Sequence, residues 1–280
     1  MLERTIWSYW QQGVHRAPPI VQLCLESWRR RNPSWRTVIL DEHSLAGAAD
    51  LTAAVGVLDR PDITVQKISD IARLCLLRAH GGVWADATVF CRVPLDEWLP
   101  EHAASGFFAF ANPGVDRLMS SWFIAAERGN LLLGELHRAF TTLWREDVYW
   151  NQNTRAGTFV RRRLEPILSK DMASTRFWLS WPLRRLLGVH PYYQLHYTFN
   201  RLVRNDAQCR EAWTVVKPFS ADLPHRLQMY DQRGDGIDVA VAEIAARTSP
   251  VYKLNWRVDA ATPYWTAVLD RLRATLAAPD

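Results

Sequence analysis

The chain has 280 residues, of which 48% are hydrophobic and 22% are charged, so it is long enough to bury a sizeable core. This composition excludes a disordered chain, a collagen and a coiled coil. The 34 basic and 29 acidic residues leave a net charge of +5, which fits an anionic small molecule, a phosphorylated ligand or a membrane surface and does not by itself indicate nucleic acid.

The four cysteines lack the paired spacing of a zinc site or a disulfide framework, so we expect free thiols. The first nine residues lack the apolar core of a signal peptide, and no segment approaches the roughly 18 apolar residues of a spanning helix. We therefore expect a protein of the cytoplasm that is at most peripheral to the inner face of the membrane.

The first forty residues predict a strand, a helix and a second strand. β-Branched and aromatic residues fill residues 4–10 and predict the first strand. Apolar residues recur at intervals of three and four over residues 20–31, which indicates an amphipathic helix. Residues 35–40 predict the second strand. This order is typical of the beginning of a parallel α/β sheet.

Two more helices are predicted over residues 44–58 and 66–80, and Gly81 and Gly82 end the second of them. A strand over residues 83–90 follows. The later segments predict one strand and several helices within the same domain. The strand covers residues 106–111, and the helices cover 117–128, 131–144, 157–168 and 264–276, with another beginning within 192–199.

A carboxylate lies in the middle of the apolar strand predicted over residues 83–90. Burying Asp86 without a partner would be costly, so it either lies at the exposed C-terminal end of the strand or holds a cation or a hydrogen-bond network. Ligands of open α/β sheets bind at those strand ends. A divalent metal that bridges a diphosphate would account for Asp86 and the neighbouring hydroxyl of Thr88.

Asp70 and Arg73 are three residues apart on the helix predicted over residues 66–80, and they therefore share one face. This spacing fits a simple ion pair that supports the helix. The alternative, which the adjacent sequence favours, is a charged pair that belongs to a ligand site.

Residues 68–89 read I-S-D-I-A-R-L-C-L-L-R-A-H-G-G-V-W-A-D-A-T-V. They resemble the core signature of the capsular polysaccharide synthesis family, a relative of the family-32 sugar-nucleotide glycosyltransferases with a DxD motif. The resemblance implies a GT-A type nucleotide-binding fold, with a mostly parallel central sheet flanked by helices and a more helical C-terminal half. It also implies one domain over residues 1–280, in which 1–111 bind the nucleotide sugar and 112–280 form the acceptor side.

The resemblance further implies a UDP-sugar or another nucleotide-sugar donor, a glycan or lipid-linked acceptor, and Mn²⁺ or Mg²⁺. It places Asp70 and Arg73 of the S-D-x-x-R helix against the sugar and diphosphate of the donor. The metal ligands of the D-x-D motif map to Asp86 and, in place of the second carboxylate, to Thr88. Because one carboxylate is missing, we expect weaker metal binding. Lys253 and Arg73 would then help to neutralise the leaving diphosphate.

Several aromatic residues are further candidates. Trp7 or Trp10, at the end of the first strand, is either a platform for the nucleotide base or a core residue. His196 either assists proton transfer from an acceptor hydroxyl or is a satisfied structural residue. Residues 149–152 and 192–196 are candidates for the acceptor site.

We predict a hexosyltransferase that uses a nucleotide sugar in cell-surface polysaccharide synthesis, with retention of configuration and without a dedicated enzymic nucleophile. The alternative is a non-catalytic nucleotide-sugar or glycan-binding protein on the same fold, which the D-A-T sequence motivates. A basic RNA-binding domain is disfavoured because its motifs are absent and the positive charge is dispersed. The basic run over residues 161–163 is either a solvated helix face or a contact with anionic lipid.

Overall fold

The fold, seen in a computed structural model that describes residues 1–277, is built on a five-stranded sheet in the order β2-β1-β3-β6-β5. The strands are β1 (Thr5–Tyr9), β2 (Arg36–Leu40), β3 (Gly82–Ala85), β4 (Val89–Cys91), β5 (Phe107–Gly114), β6 (Arg117–Ala126) and β7 (Val251–Lys253). β1 pairs in parallel with β2 and β3, while β6 runs antiparallel to both β3 and β5. Four strands therefore point the same way, which confirms a mostly parallel α/β sheet. β4 and β7 form a separate antiparallel pair.

Helices cover both faces of the sheet. They are α1 (Pro19–Arg31), α2 (Glu42–Ala48), α3 (Leu51–Val55), α4 (Val65–His80), α5 (Leu95–His102), α6 (Leu131–Glu146), α7 (Arg155–Leu168), α8 (Gln194–Asn205), α9 (Ala207–Thr214), α10 (Asp222–Arg233), α11 (Ile237–Ala246) and α12 (Pro263–Ala277). Trp84 on β3 packs in a core with α4, α6 and α8, whereas its neighbour Val83 packs with α1 and α5 on the opposite face. This alternation follows from the period of two along a strand. None of the helices within residues 1–277 combines the length and apolar character needed to cross a bilayer.

The strand predicted over residues 83–90 is wrong in one respect that matters for the site. The chain leaves the central sheet after Ala85, and a turn closed by the bond from Val89 N to Asp86 O (2.8 Å) leads into β4. β4 then pairs with β7 instead of continuing along β1. Asp86 is therefore at the C-terminal end of β3, which was one of the two expectations for it.

Two other predicted segments also differ. The helix predicted over residues 117–128 is wrong, because this segment is strand β6, which pairs with both β3 and β5. Its tertiary position between two strands overrides local helical spacing. The helix predicted over 44–58 is divided into α2 and α3, because the Asp50 side chain accepts a hydrogen bond from Ala53 N and begins a new helix.

Gly82 is required where the chain passes from α4 into β3. Its φ is +97°, and an added Cβ would lie 2.4 Å from the carbonyl oxygen of Thr5 on β1. Only glycine allows this backbone conformation together with such a close approach between neighbouring strands.

The proposed division of the domain at residue 111 stays a prediction. The central sheet includes β6, which lies beyond that residue, and the remaining chain up to residue 277 is mostly helical apart from β7.

Candidate active site

A cluster of charged side chains lies where β3 ends. The carboxyl ends of β1, β2 and β3 lie on one edge of the sheet because the three strands are parallel. Asp86 follows β3 directly, and its backbone N–H donates to the carbonyl of Trp122 on β6 (2.8 Å). The fold thus fixes this carboxylate at the sheet edge where α/β proteins bind ligands.

Both oxygens of Asp86 accept hydrogen bonds. Oδ1 accepts from the indole N–H of Trp84 (2.9 Å) and from Arg73 Nη2 (3.2 Å). Oδ2 accepts from Lys253 Nζ (3.1 Å). The sequence had left open a cation or a hydrogen-bond network as partner for this carboxylate, and the structure shows a network that contains two cations.

Arg73 connects α4 to the sheet. Its side chain is 5% exposed, and Nη1 donates to the carbonyl of Ser121 on β6 (2.7 Å). It also pairs with Asp70 (3.2 Å), one turn earlier on α4, and its guanidinium lies 5.2 Å from the ring centre of Trp84. The ion pair that the spacing of Asp70 and Arg73 predicted is therefore present, and Arg73 also reaches Asp86.

Lys253 reaches the same cluster from the far end of the chain. β7 places it opposite Val89 on β4, and the Leu254 N–H donates to the carbonyl of Thr88 (2.8 Å). Lys253 Nζ donates to the Thr88 hydroxyl (2.5 Å) as well as to Asp86. The ammonium group thus lies between the two side chains of the D-A-T segment.

Electrostatics keep Asp86 ionised. Burial raises the pKa of this carboxyl, but the charges of Lys253 and Arg73 outweigh burial and hold the pKa below its ordinary value. Lys67 Nζ, also on α4, lies 3.7 Å from Asp70 and donates to the carbonyl of Tyr192 (2.8 Å). Burial lowers the pKa of Lys67, and Asp70 opposes this effect.

The donor set does not fit the divalent cation that the resemblance implies. Asp86 and Thr88 already contact the Lys253 ammonium, and Arg73 occupies the second oxygen of Asp86. Within residues 1–277, no three His, Cys, Asp or Glu side chains form a group able to hold a metal ion. A divalent cation next to one carboxylate and two existing cations lacks the anionic oxygen ligands that such ions need.

The two candidate tryptophans occupy different environments. Trp7 lies in the core, 7% exposed, and its indole N–H donates to the carbonyl of Gly81 (3.0 Å), which is the structural alternative considered for it. Trp10 follows β1 at the sheet edge and meets Trp256 edge to face at 5.8 Å between ring centres. Trp256 is 43% exposed.

His196 is buried on α8 beside Tyr193, with ring centres 5.3 Å apart. Burial, together with the charges of Arg117, Arg73 and Lys67, holds its pKa well below the ordinary value, so the imidazole is neutral. Its buried Nδ1 has no hydrogen-bond partner among the described residues. The same burial and positive charges oppose protonation of the ring in the absence of a bound anion.

The two segments expected to line an acceptor site are distinct in the structure. Tyr149 is 1% exposed and packs against Trp144 and His190, so it belongs to the core. Tyr192 is 59% exposed, and its carbonyl is the group that holds Lys67. Only the second segment thus contacts the charged cluster.

Two contributors to the site were not predicted from the sequence, Lys67 and Trp84 as a hydrogen-bond donor, and neither was Trp256, the neighbour of Trp10. Lys67 lies one helical turn before Asp70, so its spacing carried a signal. Trp84 and Asp86 are two residues apart, which also placed them on one face of a strand. Trp256 gave no signal, because only the fold brings it beside Trp10.

The chain is thus an α/β protein with a positively charged site at the ends of its parallel strands, in which carboxylates form ion pairs with the cations. The sequence profile described as "Capsular polysaccharide synthesis protein" matches residues 1–152. This match covers more than half of the chain, and the protein belongs to that family.

Two curated relatives are similar to this chain. The O-glycosyltransferase braB of Annulohypoxylon truncatum is 29% identical, over 51% of this chain and 38% of the relative. The glycosyltransferase afumC of Aspergillus fumigatus (strain CBS 144.89 / FGSC A1163 / CEA10) is 29% identical, over 50% of this chain and 40% of the relative. The match thus spans about two fifths of the length of these relatives. Among solved structures, the PaToxG glycosyltransferase superposes with a TM-score of 0.36 at 14% identity, over 71% of this chain and 84% of that one.

Proposed function

We propose that this protein is a GT-A type glycosyltransferase that moves a hexose from a nucleotide-sugar donor to a glycan or lipid-linked acceptor in cell-surface polysaccharide synthesis. The observation that carries the proposal is the cluster of Asp70, Arg73, Asp86 and Lys253 at the carboxyl end of β3. Family membership and the two relatives whose names include glycosyltransferase support it.

The charges of the cluster suit a diphosphate leaving group. In glycosyl transfer the bond between the anomeric carbon and the diphosphate oxygen breaks, and the electron pair stays on the diphosphate. Lys253 and Arg73 are the cations available to stabilise that charge, while Asp86 and Asp70 hold them in place. Asp70, which is 15% exposed, is also able to accept a hydrogen bond from a sugar hydroxyl.

The acceptor hydroxyl forms the new bond to the anomeric carbon and loses its proton. We assign His196 as the group that takes this proton, since its imidazole is neutral and a bound diphosphate would offset the charges of Arg73 and Lys67 that lower its pKa. In this proposed reaction the sugar keeps its anomeric configuration, and no covalent intermediate forms on the protein. We assign Trp10 and Trp256 as the aromatic pair that contacts the nucleotide base.

The test is release of nucleoside diphosphate from a panel of UDP-, GDP- and dTDP-linked sugars, with and without manganese. We expect one donor class to be hydrolysed slowly, and Asp70→Asn to reduce that rate by about 10-fold or more, as loss of a charged hydrogen-bond partner does. Asp270→Asn is the matched control, since Asp270 forms the same (i, i+3) pair with Arg273 on the exposed face of α12. Donor binding without hydrolysis in any condition would instead support the non-catalytic binding protein.

Peripheral contact with a membrane is a further part of the proposal. Seven large apolar side chains between residues 150 and 187 are exposed: Trp150, Phe159, Ile167, Phe177, Trp181, Leu186 and Leu187. The same segment has eight basic and two acidic residues, and Arg163 and Arg176 lie over the rings of Phe159 and Phe177. Exposed aromatic and basic side chains together are typical of surfaces that contact anionic lipid.

Co-sedimentation with vesicles of phosphatidylcholine, alone or with phosphatidylglycerol, tests this contact. We expect binding that requires the anionic lipid and falls by about 10-fold or more in the double variant Arg162→Glu/Arg163→Glu, since each basic residue near such a surface contributes about 1 kcal/mol. Arg271→Glu/Arg273→Glu on α12 makes the same change of charge elsewhere on the surface. Equal loss in both double variants would contradict a specific contact through α7.

A further inference from the structure

The Lys253 ammonium lies where the family resemblance would put a metal ion. It donates to Asp86 Oδ2 (3.1 Å) and to the Thr88 hydroxyl (2.5 Å), which are the two positions of the D-A-T segment. A cation between these two side chains is what a metal-binding version of the motif would contain. Here the protein supplies that cation from its own chain.

The fold holds Lys253 in this position. β7 pairs with β4 through Val251, Tyr252 and Lys253, and the first two of these are fully buried. The Lys253 carbonyl accepts from the side chain of Gln228 on α10 (2.6 Å). The side chain of Lys253 itself is 19% exposed. Its ammonium group is therefore placed by a sheet and a helix, unlike that of a freely moving surface lysine.

The charge count of the cluster also favours a built-in cation. Asp70 and Asp86 contribute two negative charges, while Lys67, Arg73 and Lys253 contribute three positive charges. The cluster therefore already has a net positive charge before any ligand binds. A diphosphate is attracted to such a site, whereas a divalent cation is repelled by it.

We propose that Lys253 replaces the divalent cation in this protein, so that the nucleoside diphosphate of the donor binds, and the sugar is transferred, without a metal ion. This inference rests on the proposed function, because it concerns how that donor is held. Lys253 carries one charge in place of two, and Arg73 provides the second. An ammonium group donates up to three hydrogen bonds, so it can bind a phosphate oxygen while it stays bound to Asp86 and Thr88.

The first experiment measures binding of UDP, GDP and dTDP by titration calorimetry, in EDTA and again in manganese chloride. We expect the diphosphate that binds to do so with equal affinity in both solutions. Lys253→Met should weaken binding in EDTA by about 10- to 100-fold, as loss of a charged hydrogen-bond donor does, and Lys253→Arg should retain most of the affinity. Lys217→Met is the control, because Lys217 is a half-exposed lysine paired with Glu101. Binding that requires manganese in the wild-type protein would overturn the inference.

The second experiment follows free Mn²⁺ by electron paramagnetic resonance and needs no nucleotide. Wild-type protein should leave the signal of free Mn²⁺ unchanged at millimolar concentration. Lys253→Met exposes the Asp86 carboxylate and should bind more Mn²⁺ than wild type, provided that its circular dichroism and melting temperature show a folded protein. Should Lys253→Met not fold, the calorimetry of the wild-type protein decides, because equal diphosphate affinity in EDTA and in manganese chloride supports the inference and a requirement for manganese overturns it. Strong Mn²⁺ binding by wild-type protein would refute the replacement of the metal.

The two experiments separate the two proposals. If none of the three diphosphates binds in either solution, the proposed donor site is wrong, and the manganese titration alone decides whether Lys253 fills the cation position. If a diphosphate binds only with manganese, the donor site stands and the role of Lys253 as the cation is wrong.

Discussion

Replacing Arg73 by methionine tests the network that forms the proposed donor site. The guanidinium is 5% exposed and contacts Asp70, Asp86, Ser69 and the carbonyl of Ser121. Methionine keeps much of the length of the side chain but removes the charge and all of these hydrogen bonds. The stability change therefore reports on the polar contacts more than on packing.

The expected loss follows from what remains after the substitution. Breaking a buried ion pair costs about 3–5 kcal/mol when the other partner is left unpaired. Here Asp86 keeps Lys253 and the Trp84 indole, and Asp70 keeps Lys67. We therefore expect the free energy of unfolding to fall by about 3 kcal/mol, at the lower end of that range.

Urea unfolding at pH 7, followed by tryptophan fluorescence and circular dichroism, measures this loss. Arg78→Met is the matched control, because Arg78 is exposed on the same helix and contacts the ring of His137 at 3.1 Å. Its substitution should cost about 1 kcal/mol or less. Arg73→Lys should fall between the two, since lysine restores the charge without the forked geometry. A cost for Arg73→Met no larger than that for Arg78→Met would refute the network as a source of stability.

Three further predictions concern the backbone, the pH dependence and the thiols. Gly82→Ala should destabilise the protein by about 1–2 kcal/mol or more, because φ is +97° and the new Cβ would meet the Thr5 carbonyl; wild-type stability in urea would contradict this. The lowered pKa of Asp86 stabilises the folded state above about pH 4 and is lost as pH falls through the folded pKa, so the stability difference between wild type and Asp86→Asn should narrow with acidification. If this stability difference instead grows as the pH falls, the pKa of Asp86 is not lowered in the folded protein. Burial raises the pKa of Cys75 and Cys209 to about 11, so a disulfide reagent at pH 8 should label these thiols only after unfolding, and rapid labelling of native protein would show that they are accessible.

The sequence determined much of the fold by local patterns. The spacing of apolar residues predicted α1, α4, α6 and α12, because a helix buries one stripe of side chains and that stripe repeats every three or four residues. β1 and β2 followed from runs of β-branched and aromatic residues between turn signals. The free cysteines were also predictable, and all four are buried thiols. These features depend on neighbours along the chain, which a sequence displays directly.

The same local reasoning was wrong where a partner distant in the chain decides the conformation. Residues 117–126 form β6 because β3 and β5 pair with both its edges. The strand predicted over 83–90 ends at Ala85 because the turn at Asp86 leads into β4, which pairs with β7, more than 160 residues later in the chain. No pattern within either segment contains these partners.

For the charged site, too, the sequence determined some features and the tertiary structure the others. Sequence spacing determined that Asp70 and Arg73 share a helix face and that Asp86 lies in an apolar strand in need of a partner. Only the tertiary structure decided which partner it has, by bringing Arg73 to one oxygen and Lys253 to the other. The reason is physical: a buried carboxylate requires compensation of its charge, but any nearby cation can provide it, and proximity between α4, β3 and β7 exists only in the folded chain.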